Sequence, residues 1–380
     1  MPALVAATVA ALLALAVAGC STSPTSAAGG RASPSPSVSQ SPSAGQSPSP
    51  APSPSPTPSA PNPSAAHSPA APPPSPKPSP ARPATPAPTP AKGVLVIGTE
   101  GTGLRTSPGG APAGRLRGGV LVPIQAISQG EAQVLTPCER TVWVPTGAGE
   151  VVSSTTVVLD PGHGGNETGA IGPSGLNEKD VNLRVAKDAA AVLRQQGVSV
   201  VLTREQDYRA SILFRAALAA AVHPAAMVSI HHNAEPDGPL DFPGSETYYQ
   251  FRSPASKRLA GLLEEETRAT LSSYPAHWMG DRDAGAKWRL NQAGGDYYGI
   301  LRRPGAFQVT AALAELAFVS NPSEEVLLAR PDVQQAEGAA VARGILRFLR
   351  TNDPGSGFTV PYPRSEAGGG GGAEHCTDPS

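Results

Sequence analysis

The sequence predicts an α/β fold over residues 153–351, with a mostly parallel sheet covered by helices on both faces. Two observations predict it. Short apolar, β-branched runs alternate with longer amphipathic stretches from about Thr155 to Arg350, the pattern of βαβ units rather than of hairpins. The residues with metal and acid–base chemistry fall where those runs end, and open α/β sheets form their sites at the carboxyl ends of strands. About 195 residues is ample for one core.

The elements follow in order. Strand TTVVLD (155–160) precedes a helix around 177–196. Strand VSVVLT (198–203) precedes the helix YRASILFRAALAAAV (208–222). Strand AMVSIH (226–231) is followed by SETYYQF (245–251) and the helix PASKRLAGLLEEETRATL (254–271). A strand around 310–316 and a closing helix around 333–350 complete the run.

Composition divides the rest of the chain. Residues 93–152 contain GVLVIGTEGTGLRTSPGG, GVLVPIQAISQGEAQVL and CERTVWVPTGAGEVV. These are short strands between Gly/Pro turns, and they predict a small β-rich, barrel-like domain. Residues 21–92 are almost entirely Pro, Ser, Ala and Thr. They hold too little apolar surface to fold, so a disordered, polyproline-rich linker is expected. About 70 such residues at ~3.1 Å each reach roughly 200 Å. Residues 1–20 are an apolar run ending in small residues, which reads as a signal-peptide core and not a spanning helix. No Lys or Arg precedes that run. Residues 352–380 are expected as a flexible tail.

Charge and cysteine content narrow the function. The formal net charge is −1, and no basic stripe or cluster points to a nucleic-acid partner. The three cysteines stand at 20, 138 and 376, a spacing that excludes a cysteine zinc site. In an oxidising exterior Cys138 and Cys376 can pair, pinning the tail to the small domain; the alternative is two free thiols.

Four residues carry the chemistry. TTVVLDPGHGG delivers His163 in a glycine-rich turn, GLNEKDVNLRVAKDAAAVL opens a helix with Glu178, AAMVSIHHNA delivers His231, and AALAELAFVSNPSEE delivers Glu315. Two histidines and one glutamate suit a catalytic zinc with a position left open for water, and a further glutamate suits the base that activates the water. Glu315 stands in an otherwise apolar strand, where an unpaired carboxylate is costly without a job. Two competitions remain open on pattern alone. His232 competes with His231, although successive strand residues face opposite ways and only one reaches a metal. Glu167 competes with Glu178, which a helix start both positions and favours electrostatically.

The ordered motifs VVLDPGHGG…GA…E…N, LTR…D…R, SIHHNA and LAELAFVSNPSEE resemble the zinc-dependent N-acetylmuramoyl-L-alanine amidases of the amidase-3 type, over essentially 155–350. The resemblance implies a mixed, mostly parallel twisted sheet and a Zn2+ cofactor. It implies His163, Glu178 and His231 as zinc ligands and Glu315 as the catalytic carboxylate. It also implies peptidoglycan as the partner, cut between the lactyl group of N-acetylmuramic acid and the L-Ala of the stem peptide. Ala317 stands where the family commonly shows Gly, so a methyl narrowing the site is expected. Arg204 and Arg215 resemble family arginines and are expected in buried salt bridges, with Asp160 and Asn233 as local hydrogen-bonding residues. The polar, aromatic segment 277–303 resembles the region beside the substrate groove and offers Lys287, Arg289, Asp296 and Tyr298 as glycan or peptide contacts.

Two further resemblances concern location. AVAGC resembles the bacterial lipoprotein box, which implies lipidation of Cys20, a membrane anchor, and a place at the outer face of a bacterial plasma membrane or in the cell wall. GTGLRTSP followed by VWVP resembles the Src-homology-type barrels that accompany cell-wall enzymes. The competing functions are a zinc peptidase acting within the stem peptide, an inactive wall-binding lipoprotein, and an enzyme held until an activator protein moves a blocking segment such as 275–303.

Overall fold

The computed structural model describes residues 87–369 and 372–380. The signal segment 1–20, Cys20 and the linker as far as residue 86 lie outside the described residues. Among the described residues no helix is long and apolar enough to cross a membrane.

The N-terminal lobe is one antiparallel sheet. Its strands are β1 (Thr89–Pro90), β2 (Val94–Ile97), β3 (Thr102–Arg105), β4 (Pro112–Leu116), β5 (Leu121–Ser128), β6 (Glu131–Leu135), β7 (Thr141–Pro145) and β8 (Gly149–Val152). They run in the order β4-β3-β7-β6-β5-β2-β8, with β1 against β5. Thr89 and Pro90, at the end of the proline-rich stretch, therefore pair with Ile127 and Ala126. Leu95, Val122, Val134 and Val144 are fully buried.

The C-terminal lobe is α/β. Its elements are β9 (Val157–Pro161), α1 (Glu178–Gln195), β10 (Val200–Leu202), α2 (Ile212–Val222), β11 (Ala226–Asn233), β12 (Gly238–Pro239), β13 (Glu246–Tyr249), α3 (Pro254–Leu271), β14 (Met279–Gly280), β15 (Gly285–Lys287), α4 (Gly299–Ala306), β16 (Ala311–Phe318), α5 (Pro322–Leu328) and α6 (Pro331–Arg350). The main sheet runs β10-β9-β11-β16-β13-β15. β10, β9, β11 and β16 are parallel, β13 is antiparallel to β16, and β15 is parallel to β13. The sheet is thus mixed and mostly parallel.

Strand alternation sorts the core into two layers. Val157, Leu159, Val228, Ile230, Ala312 and Ala314 pack with Val185, Leu193, Leu259, Leu263, Val341 and Ile345 of α1, α3 and α6. Val158, Met227, Ala311 and Leu313 face the other way, toward Phe214 and Leu218 of α2 and Ile300 and Leu301 of α4. That second layer is continuous with Val94, Val122 and Val134 of the N-terminal lobe. The lobes also share hydrogen bonds, Ser211 N to Pro137 O at 2.9 Å and Gln206 Nε2 to Gly118 O at 3.0 Å.

Several elements depart from the sequence reading. α2 begins at Ile212, because Ser211 caps it by accepting from Phe214 N at 3.1 Å. The segment 277–303 contains β14, β15 and the start of α4. α5 follows Asn321, whose side chain accepts from Ser323 N, with Pro322 at its first position. Glu315 lies fifth of eight residues in β16, not at the strand's end.

Residues 352–369 and 372–380, expected as a flexible tail, are fixed at several points. Ala286 N donates to Gly357 O at 2.8 Å, and Gly299 N donates to Gly369 O at 3.0 Å. Cys376 is disulfide-bonded to Cys138, with their Cα atoms 5.5 Å apart. Asp378 accepts from Cys138 N and from Arg140.

Candidate metal centre and active site

His163, Glu178 and His231 arrive from three elements and meet beyond the carboxyl end of β9. His163 follows the Pro161-Gly162 turn with a left-handed φ of 57°, and Gly164 and Gly165 also take positive φ. Glu178 is the first residue of α1. Alternation sends His231 to the face shared with Met227 and Leu313.

One ligand atom from each of the three lies within 4.8 Å of the others. His163 Nε2 is 3.3 Å from Glu178 Oε2, and His231 Nδ1 is 2.9 Å from Glu178 Oε1. The two imidazoles meet edge to face with centroids 4.8 Å apart. Gly162 and Gly169 leave room for them: a Cβ on Gly162 would lie 2.2 Å from the His231 ring, and one on Gly169 would lie 2.3 Å from Glu178 Oε2.

Neighbouring residues hold the ligands in place. Glu178 accepts from Ala170 N at 2.8 Å, Asn182 Nδ2 at 3.1 Å and His232 N at 3.2 Å. Glu167 Oε1 is 3.4 Å from His163 Nδ1, and Arg209 lies 3.5 Å from the same carboxylate. Glu167 therefore stands behind His163 and not among the three. His232 points to the opposite face, where Nδ1 is 2.7 Å from Asn182 Oδ1 and Nε2 is 3.4 Å from the buried Glu337. Glu325 accepts from Ser174 N and Leu176 N and so fixes the loop that delivers Glu178.

The electrostatics favour a bound cation. Burial pushes the Glu178 carboxyl up, but hydrogen bonds and charge from His163 and His231 outweigh it and hold the group well below its ordinary value. Burial pushes His163 down, yet Glu167 and Glu178 raise it to about 9. His231 is lowered by burial, against the pull of Glu178. A proton and a metal compete for the same imidazole nitrogen. Two imidazoles and one carboxylate, buried, close and backed by further hydrogen bonds, fit a divalent metal with N/O preference.

Glu315 faces the same space. It pairs in register with His231 on one side and with Glu246 on the other. Its Oε2 is buried without a hydrogen-bond partner. Burial, reinforced by Glu178 and Glu246, pushes its carboxyl well above the ordinary range. A cavity of about 340 Å³ opens there, with His163, His231, Glu315, Tyr298, Ile300 and Leu313 among its walls.

The remaining candidates separate. Tyr298 lines that cavity, and Arg289 lies behind it, 3.4 Å from the Tyr298 hydroxyl. Asp296 is elsewhere, accepting from Phe251 N at 2.8 Å beside Gln250 and Arg302. Lys287 is no surface contact. It is fully buried, and its ammonium sits between Glu246 and Asp283, filling the second acidic cluster with its own cation. Arg215 pairs with Asp160 at 2.7 Å and donates to His163 O at 2.7 Å. Arg204 makes no ion pair among the described residues; it donates to the carbonyls of Pro161, Gly162, Lys179 and Gln206. Asn233 donates to Glu246 Oε2 at 2.8 Å. Ala317 packs with Trp278, Val319 and Leu327, away from the cavity, so its methyl does not narrow the site.

A mostly parallel α/β sheet with a His–Glu–His centre and a buried carboxylate facing it defines a metal-site hydrolase. A family model described as N-acetylmuramoyl-L-alanine amidase matches residues 157–347, and the chain belongs to that family. It is 31% identical over 218 residues to the germination-specific N-acetylmuramoyl-L-alanine amidase of Bacillus subtilis, covering 53% of this chain and 84% of that protein. It is 32% identical over 201 residues to LytC of the same organism, covering 52% of this chain and 36% of that protein. The solved structure of the amidase AmiC2 of Nostoc punctiforme is 33% identical with a TM-score of 0.43, covering 52% of this chain and 97% of that one.

Proposed function

We propose that this N-acetylmuramoyl-L-alanine amidase, which hydrolyses peptidoglycan, works with zinc held by His163, Glu178 and His231 and with Glu315 as its proton carrier. The observation that carries the reading is Glu315 Oε2, buried, unpartnered and facing the His–Glu–His group. When bound there, the metal supplies Lewis acidity to the amide carbonyl and lowers the pKa of water.

The chain's own residues do the rest. Glu178 is locked by hydrogen bonds from Ala170 N, Asn182 Nδ2 and His232 N, so both histidines keep their aim as substrate enters. Glu315 takes a proton from the attacking water and passes it to the L-Ala nitrogen as the C–N bond breaks and the C–O bond forms. The products are a lactyl carboxylate and a free stem-peptide amine. Ile212, Ile300 and Leu313 limit water around Glu315.

We further propose export and anchoring through a lipid on Cys20, with the proline-rich residues before Thr89 as the tether and the antiparallel lobe as a barrel-like wall module. AVAGC supports the first, composition the second, and the Cys138–Cys376 disulfide supports an oxidising, extracytoplasmic setting.

Mass spectrometry of peptidoglycan digested by the purified full chain, with zinc and with chelator, tests the activity. Stem peptides beginning at L-Ala together with peptide-free glycan, only with metal, are expected. Cuts inside the stem peptide would make the enzyme a peptidase, and no cleavage with zinc bound would overturn the catalytic reading.

A further inference from the structure

Beside the catalytic cavity an acidic peptide is already seated, and it belongs to the chain itself. Residues 366–369 read Glu-Ala-Gly-Gly. Gln292 N donates to Glu366 O at 3.1 Å, Gly299 N donates to Gly369 O at 3.0 Å, and Tyr298 and Gly369 form a parallel bridge. Two main-chain hydrogen bonds and one bridge thus hold the segment against residues 292–299, the way a peptide is recognised through its backbone. The slot is narrow: a Cβ at Gly369 would come within 2.9 Å of the Tyr297 ring. Gly369 is itself part of the cavity wall that carries His163, His231 and Glu315.

The acidic end of this segment meets one cation. Arg289 binds the Glu366 carboxylate, and its guanidinium lies 3.7 Å from the Tyr297 ring centroid. It also touches the hydroxyl of Tyr298, whose ring faces the cavity. A guanidinium fixed in plane by stacking is preorganised for a carboxylate. The side chain of Glu366 is half exposed, whereas that of Arg289 is 17% exposed, so the cation is the built half of the pair.

We propose that Arg289 reads a free carboxylate on the substrate's stem peptide, and that Glu366–Gly369 occupies this groove as an internal competitor. The inference rests on the amidase reading above. Arg289 touches Tyr298, a wall of the cavity, so its guanidinium stands beside the reacting centre, and the first free carboxylate a stem peptide offers beyond the scissile amide is the one on its second residue. The tail presents its carboxyl-terminal side to the cavity, and a stem peptide presents its amino-terminal side. What the two share is the carboxylate and the main-chain slot, not a sequence.

The test compares two muramoyl peptides, one with a free α-carboxylate on the second residue and one with that group as carboxamide, using the purified full chain. Wild type should prefer the free acid. Arg289→Ala should remove the preference, raising KM for the acid about tenfold, the value of one charge-assisted contact, with no rise for the amide. Glu366→Gln should lower KM for the acid roughly fivefold at constant kcat, as loss of a modest half-exposed pair allows. Equal KM increases on both substrates in Arg289→Ala would overturn the proposal in favour of a packing role, and an unchanged KM in Glu366→Gln would remove the tail as competitor. Calorimetric titration with L-Ala-D-Glu separates the two readings. Arg289-dependent binding of that dipeptide by a chain that cleaves nothing sinks the amidase mechanism and supports the groove. Cleavage without discrimination does the reverse.

Discussion

His231 and Glu315 are register partners on the parallel strands β11 and β16. Facing residues of neighbouring strands leave the sheet on the same side, so backbone hydrogen bonding sets the spacing between a metal-ligand candidate and the proposed proton carrier. Loop motion cannot change it without breaking the sheet.

Glu315→Gln therefore keeps the strand and the shape and loses the carboxylate proposed as proton acceptor. Turnover should fall by about 100-fold or more, while zinc content measured by atomic absorption stays at the wild-type level. Near-wild-type turnover in this variant would falsify the assigned role.

Gly162→Ala places a methyl where the His231 ring stands. Zinc affinity should weaken by about 10- to 100-fold, the scale at which mispositioned ligand support acts. Competition with a chromogenic chelator measures it, and an unshifted affinity would mean that the ring has another place to go.

Asp160 is buried among Arg215, Ser229 and Thr203. Burial alone would raise its carboxyl, but Arg215 and the two hydroxyls hold it below the ordinary value of 3.8. A carboxyl lowered by folding stabilises the native state above its unfolded pKa, and that share disappears as pH drops through the folded pKa. Denaturant midpoints of wild type should thus hold at neutral pH and fall below about pH 4. Asp160→Asn should cost about 3–5 kcal/mol at pH 7, because Arg215 is left buried and uncompensated, and should show less of the acid-side fall. Identical slopes in the two proteins would assign acid sensitivity to other groups.

Cys138 and Cys376 close a loop with a sequence separation of 238. Reduction, or Cys376→Ala, should lower stability by roughly 2–5 kcal/mol through the larger entropy of the open unfolded chain. Thermal melts with and without reductant measure this, and coincident melts would show that the bond adds nothing.

Much of the C-terminal lobe was legible because its signals are periodic. Apolar runs marked the strands, and Pro254 after Ser253 marked the start of α3. Ser211 marked the true start of α2, but the apolar content of YRASILFRAALAAAV concealed it. α4 was illegible because Gly299 and Pro304 are poor helix formers, and only tertiary burial of Ile300 and Leu301 supports it. α5 carried a readable signal, Asn321 before Pro322, but its seven residues are too short for an apolar period to stand out. At the site, His163, Glu178 and His231 could be named because turn, helix start and strand each fix one side chain. Lys287 could not be placed from sequence: a lysine in a polar segment reads as exposed, and only the fold brings Glu246 and Asp283 around it. Glu325 and Asn182 were missed for the same reason, since their work is to hold backbone and ligands that are distant in sequence.

The Cys138–Cys376 bond also makes the chain topologically a ring between those residues, with the whole α/β lobe inside it. A protease that cuts one exposed loop there opens the ring without releasing a fragment. Both pieces remain covalently joined to the N-terminal lobe, and a nicked molecule migrates as intact until it is reduced. An enzyme built this way survives a first cut without losing its catalytic half to the surroundings.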